Sequence, residues 1–260
     1  MTEPSEKLRS RARRFAALLP AHVEDIVLTG SAARGMADEL SDIELLVISD
    51  ALPEELPLDE RQSWTPPAAG AMWYGGLYEG EKLELVWWTP AYIDERVRAI
   101  EAGEIVDHTR LGTAEAIVNG ISLRGERHAR ICARLARYPD GLAARILDDV
   151  TDEWVDWVDS QRTNLRPGDA LVLAQALIDT AEGILRIIFA LNEEWEPGWK
   201  RLAARIEPLA VKPDRLAERI DAAIRGLDLR AMRALAAETL ALAPQTAKSR
   251  RARERLLEPL

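Results

Sequence analysis

A single cysteine, Cys132, stands in 260 residues. That excludes an internal disulfide framework and fits a reducing compartment. Long hydrophobic runs are also missing: no apolar stretch approaches the ~18 residues a membrane span needs, so no membrane partner is expected. The opening Met1-Thr2-Glu3-Pro4-Ser5-Glu6-Lys7 lacks a basic segment followed by an apolar one, so no secretory signal is expected and the cytoplasm is the expected setting. There is no internal repeat and no low-complexity tract. His108 has no carboxylate or cysteine at ligand spacing and reads as structural rather than metal-binding. A basic stripe is lacking too. Residues 1–124 hold 12 Lys and Arg against 22 Asp and Glu, a net charge of −10, while residues 125–260 hold 22 of each. Nucleic-acid binders carry the opposite asymmetry, so DNA or RNA is disfavoured as a partner and a small or cationic one is favoured. With 47% hydrophobic and 30% charged residues, the chain supports one large or two medium domains with real cores.

What is present centres on residues 30–44, G-S-A-A-R-G-M-A-D-E-L-S-D-I-E. Ile26-Val27-Leu28 leads in and Leu45-Leu46-Val47-Ile48 leads out, so the pattern is strand, Gly-Ser turn, short helix, second strand. Gly30 allows a turn that a side chain would obstruct. Ser31 offers a hydroxyl and an N–H at the mouth of the helix, a favourable place for phosphate. Asp42 and Glu44 are two apart on a strand expected over 42–48 and share a face. Two carboxylates at the start of an apolar strand repel one another, and a divalent cation relieves that cost. Mg²⁺ suits, since it takes one or two carboxylates together with substrate phosphates. The alternative is a glycine turn followed by a surface strand with alternating acids.

This stretch resembles the signature of the nucleotidyltransferase superfamily that includes DNA polymerase beta, the minimal nucleotidyltransferases and the antibiotic adenylyltransferases. The signature runs as an apolar residue, Gly, Gly or Ser, about ten residues, then Asp, an apolar residue, and Asp or Glu. Here it reads Thr29-Gly30-Ser31, ten residues, Asp42-Ile43-Glu44. Thr29 departs from the apolar position. The superfamily places a third carboxylate on a neighbouring strand. Glu84, within Lys82-Leu83-Glu84-Leu85-Val86-Trp87-Trp88, fits by order and by its apolar context, although the third acid is more often Asp. The resemblance thus implies Asp42, Glu44 and Glu84 as metal ligands, with Glu84 also able to take the proton from an acceptor hydroxyl. The other reading of Glu84 is a solvent-facing acid with Leu83, Leu85 and Trp87 turned inward. Arg34 could reach a triphosphate or pair with Asp38.

In chain order, Ser5 is expected to cap a helix over 6–18, with Leu8, Ala12, Phe15 and Leu19 on one face and Arg9, Arg11, Arg13 and Arg14 on a solvated one. A first strand is expected over 23–28. Residues 50–67, with four prolines among acids, read as a surface loop. Residues 71–78 and 82–88 read as a hairpin turning at Glu79-Gly80-Glu81, with a bulge or kink at Gly75-Gly76. Thr89-Pro90 starts a helix that stops at Gly103. Residues 104–107 could be a short strand and 113–118 a short helix. From Arg124 the pattern is helical throughout, near 125–137, 141–163, 169–193, 199–206, 214–225, 229–242 and 246–257, with Asp140 and Asp169 as N-caps. The expected class is therefore α+β (α/β): a catalytic domain over 1–124 built on a mixed sheet with flanking helices, and a helical bundle over 125–260 for substrate and nucleotide.

Two places in the bundle stand out. Asp149, Asp152, Asp156 and Asp159 share a helical face near Trp154 and Trp157, either a solvated face over a tryptophan core or a seat for a cationic acceptor. Residues 187–200 resemble, more loosely, an element of bacterial small-molecule nucleotidyltransferases in which an apolar helix ends in Leu-Asn, an aromatic, a Pro and a Lys. That makes Lys200 a candidate for the triphosphate, with Trp195 and Trp199 more simply core. The basic stretch over 248–253 reads as a solvated helix end or a partner contact.

The resemblance implies an enzyme that transfers a nucleotidyl group, AMP from ATP with Mg²⁺, to a hydroxyl of a small molecule. The aminoglycoside and lincosamide adenylyltransferases are the nearest family reading, and a homodimer is open to it. The alternatives are a toxin–antitoxin enzyme that modifies a protein or tRNA, and a non-catalytic nucleotide-binding relic.

Overall fold

The structure, a computed structural model, describes residues 1–51, 55–64, 70–104, 108–166 and 168–259. It divides into two compact units, residues 1–102 with 113–137, and residues 103–112 with 138–260.

The first unit is built on a six-stranded mixed sheet. Its strands are β1 (Asp25–Leu28), β2 (Ile43–Ile48), β3 (Glu60–Trp64), β4 (Ala71–Tyr78), β5 (Glu81–Trp88) and β6 (Ile121–Arg124), in the order β3-β4-β5-β2-β1-β6. Only β2 and β5 pair in parallel; every other neighbour is antiparallel. Helix α1 (Glu3–Leu18) buries Leu8, Ala12, Phe15 and Ala16 in a core with Ile43, Leu45, Val47, Leu83 and Leu85. These β residues are alternate positions on their strands, so α1 covers one face and leaves Glu44 and Glu84 to the other. The unit is completed by α2 (Gly30–Ala33), α3 (Pro90–Glu101), α5 (Arg127–Leu135) and the C-terminal part of α4 (His108–Val118).

The second unit carries α6 (Leu142–Asn164), α7 (Ala170–Leu191), α8 (Leu202–Ile206), α9 (Leu216–Arg225), α10 (Leu229–Leu242) and α11 (Ala247–Leu257). α7 is its apolar centre, buried at almost every position from Ala176 to Ala190. The α+β class is as expected, and each of the seven helices expected after Arg124 is present.

Several local expectations change. Helix α1 starts earlier, on Thr2, whose hydroxyl accepts from the Ser5 N–H; the Ser5 hydroxyl itself is buried and accepts from the Ala37 N–H at 2.9 Å. Arg13 is exposed as expected, whereas Arg9, Arg11 and Arg14 are engaged. Arg9 donates to the Ala32 and Ala33 carbonyls at 2.9 and 2.6 Å, and Arg11 and Arg14 pair with Glu81 and Glu79. Residues 60–64, read as loop, form edge strand β3. Gly75 and Gly76 keep regular register opposite Glu84 and Leu83, without a bulge. The hairpin turns through Glu79 (φ 49°) and Gly80 (φ 75°), a two-residue turn whose positive φ values match the twist of the strands. Strand β6 was not anticipated. Gly141, not Asp140, stands at the N-cap of α6, and Asp169 caps α7 without a side-chain hydrogen bond. Trp195 is buried, but Trp199 is 47% exposed. The strand considered over 104–107 falls largely outside the described residues.

Candidate active site

The site is assembled by sheet register. Glu44 on β2 and Glu84 on β5 are direct partners in the parallel pairing, and Asp42 stands one residue before β2. Side chains two apart on a strand share a face, so Asp42 joins Glu44 on the side away from α1. Among the described residues, Asp42, Glu44 and Glu84 each offer a carboxylate oxygen, all within 4.8 Å of one another and all half-buried. The two readings of Glu84 prove compatible: Leu83 and Leu85 do turn inward, and Glu84 on the opposite face meets the other two acids.

Gly30 provides the floor. It follows β1 with φ +68°, and a Cβ there would overlap Glu44 Oε2 and lie 2.5 Å from Glu44 Cδ. Only glycine satisfies both the left-handed backbone and the carboxylate lying across it. The Thr29 N–H donates to the Glu44 carbonyl at 2.8 Å, which ties the turn to β2. Ser31 lies in the first turn of α2, partly exposed. Arg34 caps that helix, and its guanidinium forms a two-pronged pair with Glu115 of α4, through Nε to Oε1 at 2.9 Å and through Nη2 to Oε2. Glu115 is buried and also accepts from Asn119 Nδ2 at 3.1 Å. The partner found for Arg34 is thus Glu115, eighty-one residues away, where the sequence offered Asp38 or a phosphate. Lys200 lies exposed in the second unit, just before α8.

One residue of the site escaped the sequence reading. Lys82, two before Glu84 on β5, shares its face, and its ammonium donates to Asp42 Oδ2 at 3.0 Å and to Glu84 Oε1. Hydrogen bonding to Glu84, then to Asp42, raises its pKa above the usual lysine value, with partial burial opposing. The i, i+2 spacing from an acid was the available signal.

Two oxygens on opposite sides of one Mg²⁺ ion are about 4.2 Å apart. A spacing within 4.8 Å is a small side-chain rotation from that geometry, so the hard, all-oxygen donor set fits such an ion.

Residues 7–110 match the family described as nucleotidyltransferase domain. That span contains Gly30, Ser31, Asp42, Glu44, Lys82 and Glu84. Among solved structures, the chain is similar to a nucleotidyltransferase-like protein from Exiguobacterium sibiricum, at 13% identity and a TM-score of 0.40, over 97% of this chain and 74% of that one. No curated protein matches. Among the described residues, no helix is long and apolar enough to cross a membrane.

Proposed function

We propose that the protein is a Mg²⁺-dependent nucleotidyltransferase that moves AMP from ATP to a hydroxyl of a small molecule and releases pyrophosphate. The observation that carries this is the convergence of Asp42, Glu44 and Glu84 beside the Gly30-Ser31 turn, inside the segment that matches the domain family. Asp42, Glu44 and Glu84 would hold the ion, whose chemistry is to neutralise charge on the phosphates. The Gly30-Ser31 backbone and the Ser31 hydroxyl would bind phosphate oxygens, and Arg34 is proposed to add positive charge there. Glu84 would accept the proton of the acceptor hydroxyl as its oxygen bonds the α-phosphorus and the bond to pyrophosphate breaks. Most of the rate would come from positioning and charge neutralisation. The acidic first half suits a cationic acceptor, an aminoglycoside before a lincosamide, in a cytoplasmic enzyme.

The test is pyrophosphate release, screened over aminoglycosides, lincosamides and the four nucleoside triphosphates with Mg²⁺. With the acceptor found, Asp42→Asn should lower turnover by at least about a hundredfold while circular dichroism and melting stay near wild type. Turnover above about a tenth of wild type in a folded variant would count against this reading.

A further inference from the structure

Lys82 occupies an unusual position for a cation in a site built to hold another cation. Its ammonium bridges Asp42 and Glu84, two of the three carboxylates that would bind the metal. Three carboxylates within 4.8 Å of one another repel strongly unless a positive charge stands among them. Lys82 is that charge, supplied by the chain. The bond is also easy to break: the Lys82 side chain is 58% exposed, with a flexible four-carbon stem. A divalent ion binding Asp42 and Glu84 draws on the same two carboxylates as the ammonium, so the two cations compete for them. The released ammonium would then stand at the edge of the same cluster, next to any triphosphate bound there.

We propose that Lys82 is a resident counter-ion that competes with the divalent metal for Asp42 and Glu84, so that the metal loads well only with a nucleoside triphosphate, whose phosphates then take over the Lys82 ammonium. This rests on the proposed metal and nucleotide site. Lys82 acts here as a positioning residue: it holds the carboxylates together before loading and engages phosphate afterwards.

The roles open to Lys82 differ in the sign of one measurement. If it merely props the carboxylates in place, its removal weakens metal binding; if it competes, removal strengthens it. Mn²⁺ binding to the full chain, followed by electron paramagnetic resonance or calorimetry without nucleotide, reads this directly and needs no turnover. Lys82→Met is expected to bind Mn²⁺ about tenfold tighter than wild type, the scale of losing one competing charge near a protein surface. Lys82→Arg, which keeps the charge, should stay within about threefold of wild type. With a non-hydrolysable ATP analogue present, the Met variant should lose its advantage and bind the analogue about tenfold more weakly. Equal or weaker Mn²⁺ binding by folded Lys82→Met overturns the inference and leaves the metal site standing. Absence of Mn²⁺ binding in wild type, Met and Arg variants alike, with or without the analogue, overturns the metal site and this inference with it.

Discussion

Gly30 is the position at which one atom decides most. Its φ of +68° carries a cost of about 1–2 kcal/mol for any residue with a Cβ, and that Cβ would also intrude on the Glu44 carboxylate. Gly30→Ala should therefore do two things together: lower thermal stability by about that amount, and reduce activity by a further factor of at least about a hundred as Glu44 is forced aside. Melting and pyrophosphate release on one preparation check both, and wild-type activity in the alanine variant would contradict the geometry. At this scale the sequence was informative where spacing alone fixes a face. Asp42 and Glu44 two apart, and the glycine before Ser31, were legible without coordinates. The partner of Arg34 was not, because Glu115 lies on α4 and no local spacing connects them. Lys82 was legible in principle, two residues from Glu84, but a lysine on a strand usually signals solvent.

Among elements, the contact between α1 and the β4–β5 turn has a defined acid response. The Arg14 hydrogen bond pulls the Glu79 pKa from the ordinary 4.5 to about 2, and Lys7, then Arg11, lower that of Glu81. Both carboxylates have folded-state values below their unfolded ones, so their stabilisation is present above about pH 4.5 and fades as pH falls toward 2. The urea midpoint should decline over that window, and less steeply in Glu79→Gln/Glu81→Gln; an identical slope in both proteins would exclude this contact as a cause. Thr89-Pro90, Gly103 and the proline-punctuated helices were readable because caps and breakers act locally. Strands β3 and β6 were not, since each is short, sits at a sheet edge and gains its order from the strand beside it.

Across the whole molecule, charge is handled in two ways. The acid excess lies in the first 124 residues, whereas the second half balances its charges internally. The acidic stretch on α6 meets its own chain: Lys248 pairs with Asp152 at 2.6 Å, Arg255 with Asp159, and Arg186 of α7 with Asp149 and Glu153. These pairings lessen the case for α6 as a seat for a cationic acceptor and give Lys248 of the basic stretch a partner within the chain. They also predict an asymmetry. The Arg186 side chain is 4% exposed, while those of Asp149 and Glu153 are 41% and 36% exposed. Removing the arginine leaves two acids that water can reach; removing the acids strands a buried cation. Arg186→Met should thus cost little, about 1 kcal/mol or less, while Asp149→Asn/Glu153→Gln should cost clearly more. Denaturant titration of both variants decides, and the reverse ranking would refute it.

The in-step pairing of Glu44 with Glu84 has one more consequence. Because the β2–β5 register sets the distance between these acids, the connection between β2 and β3 can gain or lose length without altering it. Deletion of one residue inside β5 ahead of Glu84 is another matter: it inverts the alternation and sends the acid to the side occupied by α1. Variants lengthened in the connection should keep their metal, and single deletions in the strand should lose it.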